Sequence, residues 1–136
     1  MIVKKVRGNI FEAPQKHIAF AVNTQGYNDS GFAGQVASFW TDLANTGGNQ
    51  LGEILTHQHE GKTYYALVCH ALEEGGWDNT PSVVKKCLNS INIPQDEEIA
   101  IVLMGSGMVG TLMGADVQAI LNSMSQSKKK LVVYSL

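Results

Sequence analysis

The sequence predicts an α/β fold, a mixed sheet of about six strands between two helical layers in one domain spanning residues 1–136. Three observations point there. Strand-like apolar runs alternate with amphipathic helix-like stretches through most of the chain. One hairpin signal interrupts that alternation. Two glycine-rich loops, QGYNDSGFAG (Gln25 to Gly34) and GSGMVG (Gly105 to Gly110), each join a strand-like run to a helix-like run.

Ile2 to Val6 reads as a short strand, broken by Gly8 and Asn9, and Pro14 ends the turn that follows. His17 to Val22 (HIAFAV) is apolar almost throughout, which suits a central strand covered on both faces. Phe32 to Ala44 reads as a helix with Val36, Phe39, Trp40 and Leu43 on one stripe, stopped by NTGGN. Glu53 to Gln58 and Lys62 to His70 read as paired strands around a Glu60-Gly61 tip. Leu72 to Asn79 is a polar loop. Thr80 as N-cap and Pro81 at the first helical position open a helix to Ile91, with Val83, Val84, Cys87, Leu88 and Ile91 as its buried stripe. Ile99 to Met104 is a buried-type strand. Ala115 to Ser125 is a helix with Val117, Ile120, Leu121 and Met124 on one face, and Leu131 to Tyr134 closes the chain as a strand.

Glycines let the main chain turn tightly and approach a ligand, and N–H groups exposed at a helix start favour phosphate. Two such loops suggest a ligand with a diphosphate in its middle. Asn23, at a strand end, suits a ribose hydroxyl. Gly31 and the N–H groups of Phe32 and Ala33 suit phosphate oxygens, with Asp29 and Ser30 serving either the ligand or the helix as N-caps. GSGMVG matches GxGxxG, but it follows the penultimate strand, and LVVYSL carries no acidic residue, which disfavours a dinucleotide-binding Rossmann unit. No Gly-Lys-Ser/Thr occurs, so the Walker A pattern fails. The plainer alternative is that these glycines only permit a tight strand-to-helix turn.

Hydrophobic content is 44% and charged content 16%, which excludes a disordered chain. The net charge is −2, and basic residues are scattered apart from Lys128 to Lys130, which argues against nucleic acid as the main partner. That triplet suits a solvated helix C-terminus. Cys69 and Cys87 lack metal-site spacing and read as reduced thiols of an intracellular protein. His17, His57, His59 and His70 form no i, i+4 pair and no HExxH, so no metal site is expected. His57 and His59 share a face of a hairpin strand, expected to be solvated. His70 ends a strand beside a polar loop and is either an ordinary strand-end residue or a site residue. Trp77 in that loop closes over a ligand ring or folds back on the sheet. No signal peptide or bilayer-length run is present, and a cytoplasmic location without membrane partners is expected.

Taken together, these motifs resemble a macrodomain, the ADP-ribose-binding α/β/α fold. The likeness is strongest to the compact branch containing the terminal ADP-ribose protein glycohydrolase and the yeast ADP-ribose-1″-phosphate phosphatase. VRGNIFEAP (Val6 to Pro14) resembles the branch's V-x-G-D-[IL]-F-x-x-P opening, and IAFAVNTQGYNDSGFAG its second strand and first phosphate loop. KTYYALVCH resembles its Y-Y-L-[IV]-T-K strand, VLMGSGMVG its P-x-[IL]-G-[CS]-G-L-D loop, and LVVYSL its V-Y-T-L terminus. The resemblance implies a three-layer α/β/α fold with no cofactor, whose partners are ADP-ribose or a related nucleotide and ADP-ribosylated protein. By the same resemblance Asn9 would accept from the adenine amino group where the family has Asp, with Ile10 and Phe11 supporting the base. Asn23 and the loop Ser30, Gly31, Phe32 and Ala33 would hold the distal ribose and diphosphate. Gly105, Ser106, Gly107, Met108, Val109 and Gly110 would wrap the other side, with Tyr134 and Leu136 near the adenine. Two departures bear on catalysis. His70 stands where the glycohydrolase has its Lys, and Val109 where the branch has an acid–base Asp, in a loop one residue longer. Val109 cannot transfer protons. A binding module is therefore the leading expectation, ahead of a hydrolase using His70 or Asp29 and of an interaction domain with a vestigial pocket.

Overall fold

The computed structural model describes residues 1–23, 31–45, 50–70, 80–102 and 114–135. Its strands are β1 (Ile2–Arg7), β2 (His17–Asn23), β3 (Ile54–His59), β4 (Lys62–His70), β5 (Glu98–Val102) and β6 (Lys130–Ser135). Its helices are α1 (Gly31–Ala37), α2 (Thr80–Ser90) and α3 (Gly114–Ser125), with 3-10 turns at Ile10–Glu12 and Thr41–Asn45. One six-stranded sheet runs in the order β1-β6-β5-β2-β4-β3. All neighbours pair in parallel except β3 and β4, which form the expected antiparallel hairpin. At its tip Glu60 and Gly61 both adopt positive φ, 50° and 80°, the backbone twist that a two-residue hairpin turn requires.

Side chains alternate across the sheet with the two-residue period of a strand. On one face Ala19, Leu67, Cys69, Ile99, Ile101, Leu131 and Val133 meet α2 and α3 through Val84, Cys87, Leu88, Ile120 and Met124. On the other, Ile18, Phe20, Val22, Ala66, Val68, Ala100 and Val132 meet α1 and its continuation through Val36, Trp40 and Leu43. The layers are therefore α/β/α, as expected. Both faces of β2 are covered, which is why its sequence reads as a nearly unbroken apolar run. Full burial of a side chain such as Phe20 contributes about 1.5–3 kcal/mol. Ser123, buried within α3, donates to the Pro81 carbonyl and so fastens α3 to α2.

The helix expected over Phe32 to Ala44 is shorter. α1 ends at Ala37, a turn follows, and Leu43 sits in the 3-10 segment. Ser38 Oγ donates back to the Gln35 carbonyl at 2.7 Å, a local bond that competes with helix propagation. Phe39 and Trp40 then pack onto the edge hairpin rather than continuing a straight stripe.

Candidate functional site

In an open α/β sheet, ligands settle beyond the carboxyl ends of the strands, where successive connections leave toward opposite faces. This chain has such a place. β2 and β5 are neighbours; β2 leads to α1 on one face and β5 to α3 on the other. Among the described residues the β2–β5 register runs from His17↔Ile99 to Ala19↔Ile101, and β2 pairs with β4 from His17↔Thr63 to Asn23↔His70. Asn23 and His70 thus end adjacent strands at one level, at the rim of the switch point. The glycine-rich segments on which Asp29, Ser30, Gly105, Ser106, Gly107, Met108, Val109 and Gly110 fall lie outside the described residues, as do Trp77 and Leu136.

The corner expected to hold the base is built by the end of β1. Gly8 N–H donates to the Ser135 carbonyl at 2.9 Å, which carries the chain past the end of β6 into Asn9. Asn9 caps the following 3-10 turn: its Oδ1 accepts from Phe11 N–H at 3.0 Å. That cap uses one lone pair of an exposed carboxamide oxygen and leaves the second for another donor. Lys62 Nζ clamps the far end of the turn through the Ala13 and Gln15 carbonyls. Ile10 is buried under the turn, and Phe11 stacks on Phe32 with centroids 5.0 Å apart and planes at 20°. Phe11 and Phe32, expected at different parts of a ligand, therefore touch each other, and Phe20 meets the same ring edge-on at 5.3 Å. Ala33 packs half-buried into this cluster, while Gly31 opens α1. Tyr134 lies in the same core opposite Val6, its hydroxyl 3.5 Å from Gln15 Oε1.

Two features escape the sequence reading. His57 and His59 do not occupy a solvated face. Phe39 lies flat on His59 at 4.0 Å and 6°, and Trp40 on His57 at 5.1 Å and 14°. The alternation of β3 puts both imidazoles on one face, but nothing in the local sequence announces that the residues after α1 fold over them. At the opposite end of the sheet, His17 links three elements. Its Nε2 pairs with Glu97 Oε2 at 2.6 Å and its Nδ1 with the Tyr65 hydroxyl at 3.1 Å. Burial, and secondarily the Glu97 charge, pushes the Tyr65 phenol up. A cleft of about 370 Å³ opens here between residues 14–17 and 96–98, away from the strand ends that carry Asn23 and His70.

Cys69 and Cys87 are unbridged and buried in one cluster. Desolvation raises both thiols, that of Cys87 to about 11. Burial among apolar side chains and a raised pKa both favour the protonated thiol over the reactive thiolate. Among the described residues no group of His, Cys, Asp or Glu is placed to hold a metal ion, and no helix is long and apolar enough to cross a membrane.

No protein-family model and no curated protein matches the sequence. Solved structures do. The macrodomain of DarG from Mycobacterium tuberculosis superposes with a TM-score of 0.69 at 19% identity, over 100% of this chain and 98% of that one. The macrodomain of DarG from Thermus aquaticus gives 0.65 at 20% identity, over 100% and 99%. A macrodomain variant from Oceanobacillus iheyensis, solved with ADPR, gives 0.65 at 15% identity, over 96% and 82%. What unites these neighbours is a class, the macrodomain. The present chain has the macrodomain fold, as its mixed sheet of six strands between helices already indicated.

Proposed function

We propose that the chain binds ADP-ribose or a related NAD-derived nucleotide, whether free, protein-linked or a signalling form, in the crevice at the carboxyl ends of β2 and β5. The observation that carries this reading is the switch point: two adjacent parallel strands, each followed by a glycine-rich connection, send their helices to opposite faces. A diphosphate between those connections would be held by main-chain N–H groups, which recognise anionic oxygen without a cationic side chain. Asn23, Ser30, Gly31, Phe32 and Ala33 would take the distal ribose and one side of the diphosphate, and Gly105 to Gly110 the other. Asn9, Ile10, Phe11, Tyr134 and Leu136 would surround the base, with Asn9 supplying its remaining lone pair to the amino group. The Oceanobacillus iheyensis neighbour, solved with ADPR, supports the ligand class. Calorimetry with ADP-ribose tests the reading; neither heat nor a thermal shift at millimolar ligand overturns it.

A second reading, hydrolysis of ADP-ribose-1″-phosphate or of an ADP-ribosyl ester, draws on one observation. His70 closes β4 in register with Asn23, at the same level of the crevice. Imidazole titrates in a range suited to general acid–base work. Turnover of either substrate, lost in His70→Ala or Asp29→Ala, would favour it. Turnover that is unchanged in both variants removes these residues from the chemistry.

A further inference from the structure

The basic residues of this chain are dispersed in sequence but not in space. β1 is an edge strand, parallel to β6 in the register Ile2↔Leu131, so Lys4, Lys5 and Arg7 stand beside the strand that Lys128, Lys129 and Lys130 lead into. Six of the chain's ten lysines and arginines thus gather along one edge. A seventh joins from α2, where Lys85 Nζ lies 3.5 Å from Gln126 Oε1, and Asn89 Oδ1 accepts from Lys128 N–H at 2.8 Å. No Asp or Glu occurs on β1, on α2 or from Val117 through β6. Glu98, opposite Lys130 across β5 and β6, accepts from Gln15 Nε2 at 3.1 Å. A chain of net charge −2 therefore carries a concentrated positive edge.

The edge is not purely ionic. Met1 and Val3, 51% and 44% exposed, sit among these lysines. A phosphodiester backbone offers little to an exposed Val, whereas a polypeptide with apolar side chains between its carboxylates satisfies both components. Lysines on a sheet edge also repel a second copy of the same edge, so the charge that opposes self-pairing selects an oppositely charged strand. We propose that the β1 edge, with the turn between α3 and β6, docks an acidic polypeptide segment that carries apolar side chains. The proposal does not depend on the nucleotide reading: the lysines to be tested lie along β1 and at the turn before β6, while only Arg7, at the far end of β1, borders the turn at Asn9.

The test is fluorescence anisotropy of the whole chain with a short labelled peptide alternating Glu with Val or Leu. Saturable binding is expected, weakening with added salt. It should weaken about tenfold, or ~1.4 kcal/mol, in Lys4→Glu/Lys5→Glu and again in Lys128→Glu/Lys129→Glu, whose changes lie on different elements. ADP-ribose affinity should be the same in both variants. Three results would overturn the proposal: no saturable binding, unchanged peptide affinity in both charge-reversed proteins, or displacement of the peptide by duplex DNA at concentrations below those at which the peptide itself binds.

Discussion

Asn23 and His70 are register partners at the ends of β2 and β4, reached through an irregularity between Val22 and Asn23. An asparagine and a histidine thus occupy neighbouring backbone positions at one level of the sheet. If Asn23 orients the distal ribose, Asn23→Ala should weaken ADP-ribose binding about tenfold, the value of one well-made hydrogen bond. His70→Ala should leave affinity nearly unchanged in a binding module. In a hydrolase it should lower turnover by about a hundredfold or more. Calorimetry and product assay on the same two variants separate the cases.

The stack of Phe39 on His59 is close enough to measure. Phe39→Ala removes a half-buried ring and should cost about 2 kcal/mol in urea unfolding, below the 3–5 kcal/mol of a fully buried Phe. A double-mutant cycle with His59→Ala should return a coupling of about 0.5–1.5 kcal/mol. A coupling of zero would mean that the rings are neighbours without being partners.

Cys87 carries a pH signature. Its folded thiol is raised from 9.0 to about 11 by desolvation, with Lys86 opposing, so the unfolded chain gives up this proton first. Its contribution to stability is intact below pH 9 and should be lost between pH 9 and about 11. Cys87→Ala or Cys87→Ser should make that part of the stability profile shallower, the remaining slope belonging to Cys69, whose thiol burial also raises. In native protein at neutral pH both thiols should resist iodoacetamide and react only after unfolding.

The His17–Glu97 contact should matter less as an ion pair than as a fixture. Glu97 is 39% exposed, so Glu97→Gln should cost less than about 1 kcal/mol. His17→Ala should cost more, about 1–3 kcal/mol, because it also takes away the hydrogen-bond partner of the Tyr65 hydroxyl, on a residue buried in the core. Equal losses in chemical denaturation would show that the charge dominates.

Much of this fold is legible in the sequence because burial on two faces writes itself as composition. HIAFAV after its first residue, YYALVC and LVVY read as nearly unbroken apolar runs because helices cover both sides, and each is a strand where expected. α2 was equally readable, since Val84, Cys87, Leu88 and Ile91 return at helical spacing and are all buried. The end of α1 was not, because Phe39 and Trp40 keep that spacing while answering to histidines about twenty residues away on β3. Long-range contacts of this kind leave no local period to read. The break after β1 at Gly8 and Asn9 was legible, whereas His17's bonds to Tyr65 and Glu97 join positions that sequence alone does not relate.

The β2–β5 register has a mechanical meaning. Its rungs, Ala19↔Ile101 and the two before it, join one trio of strands, β3-β4-β2, to the other, β5-β6-β1. The His17–Glu97 bond crosses that same seam at its lower end. The junction between the trios is thus stitched twice, by main-chain rungs and by one side-chain bond, so a change at His17 or Glu97 should be felt where the two halves of the sheet meet rather than inside either half.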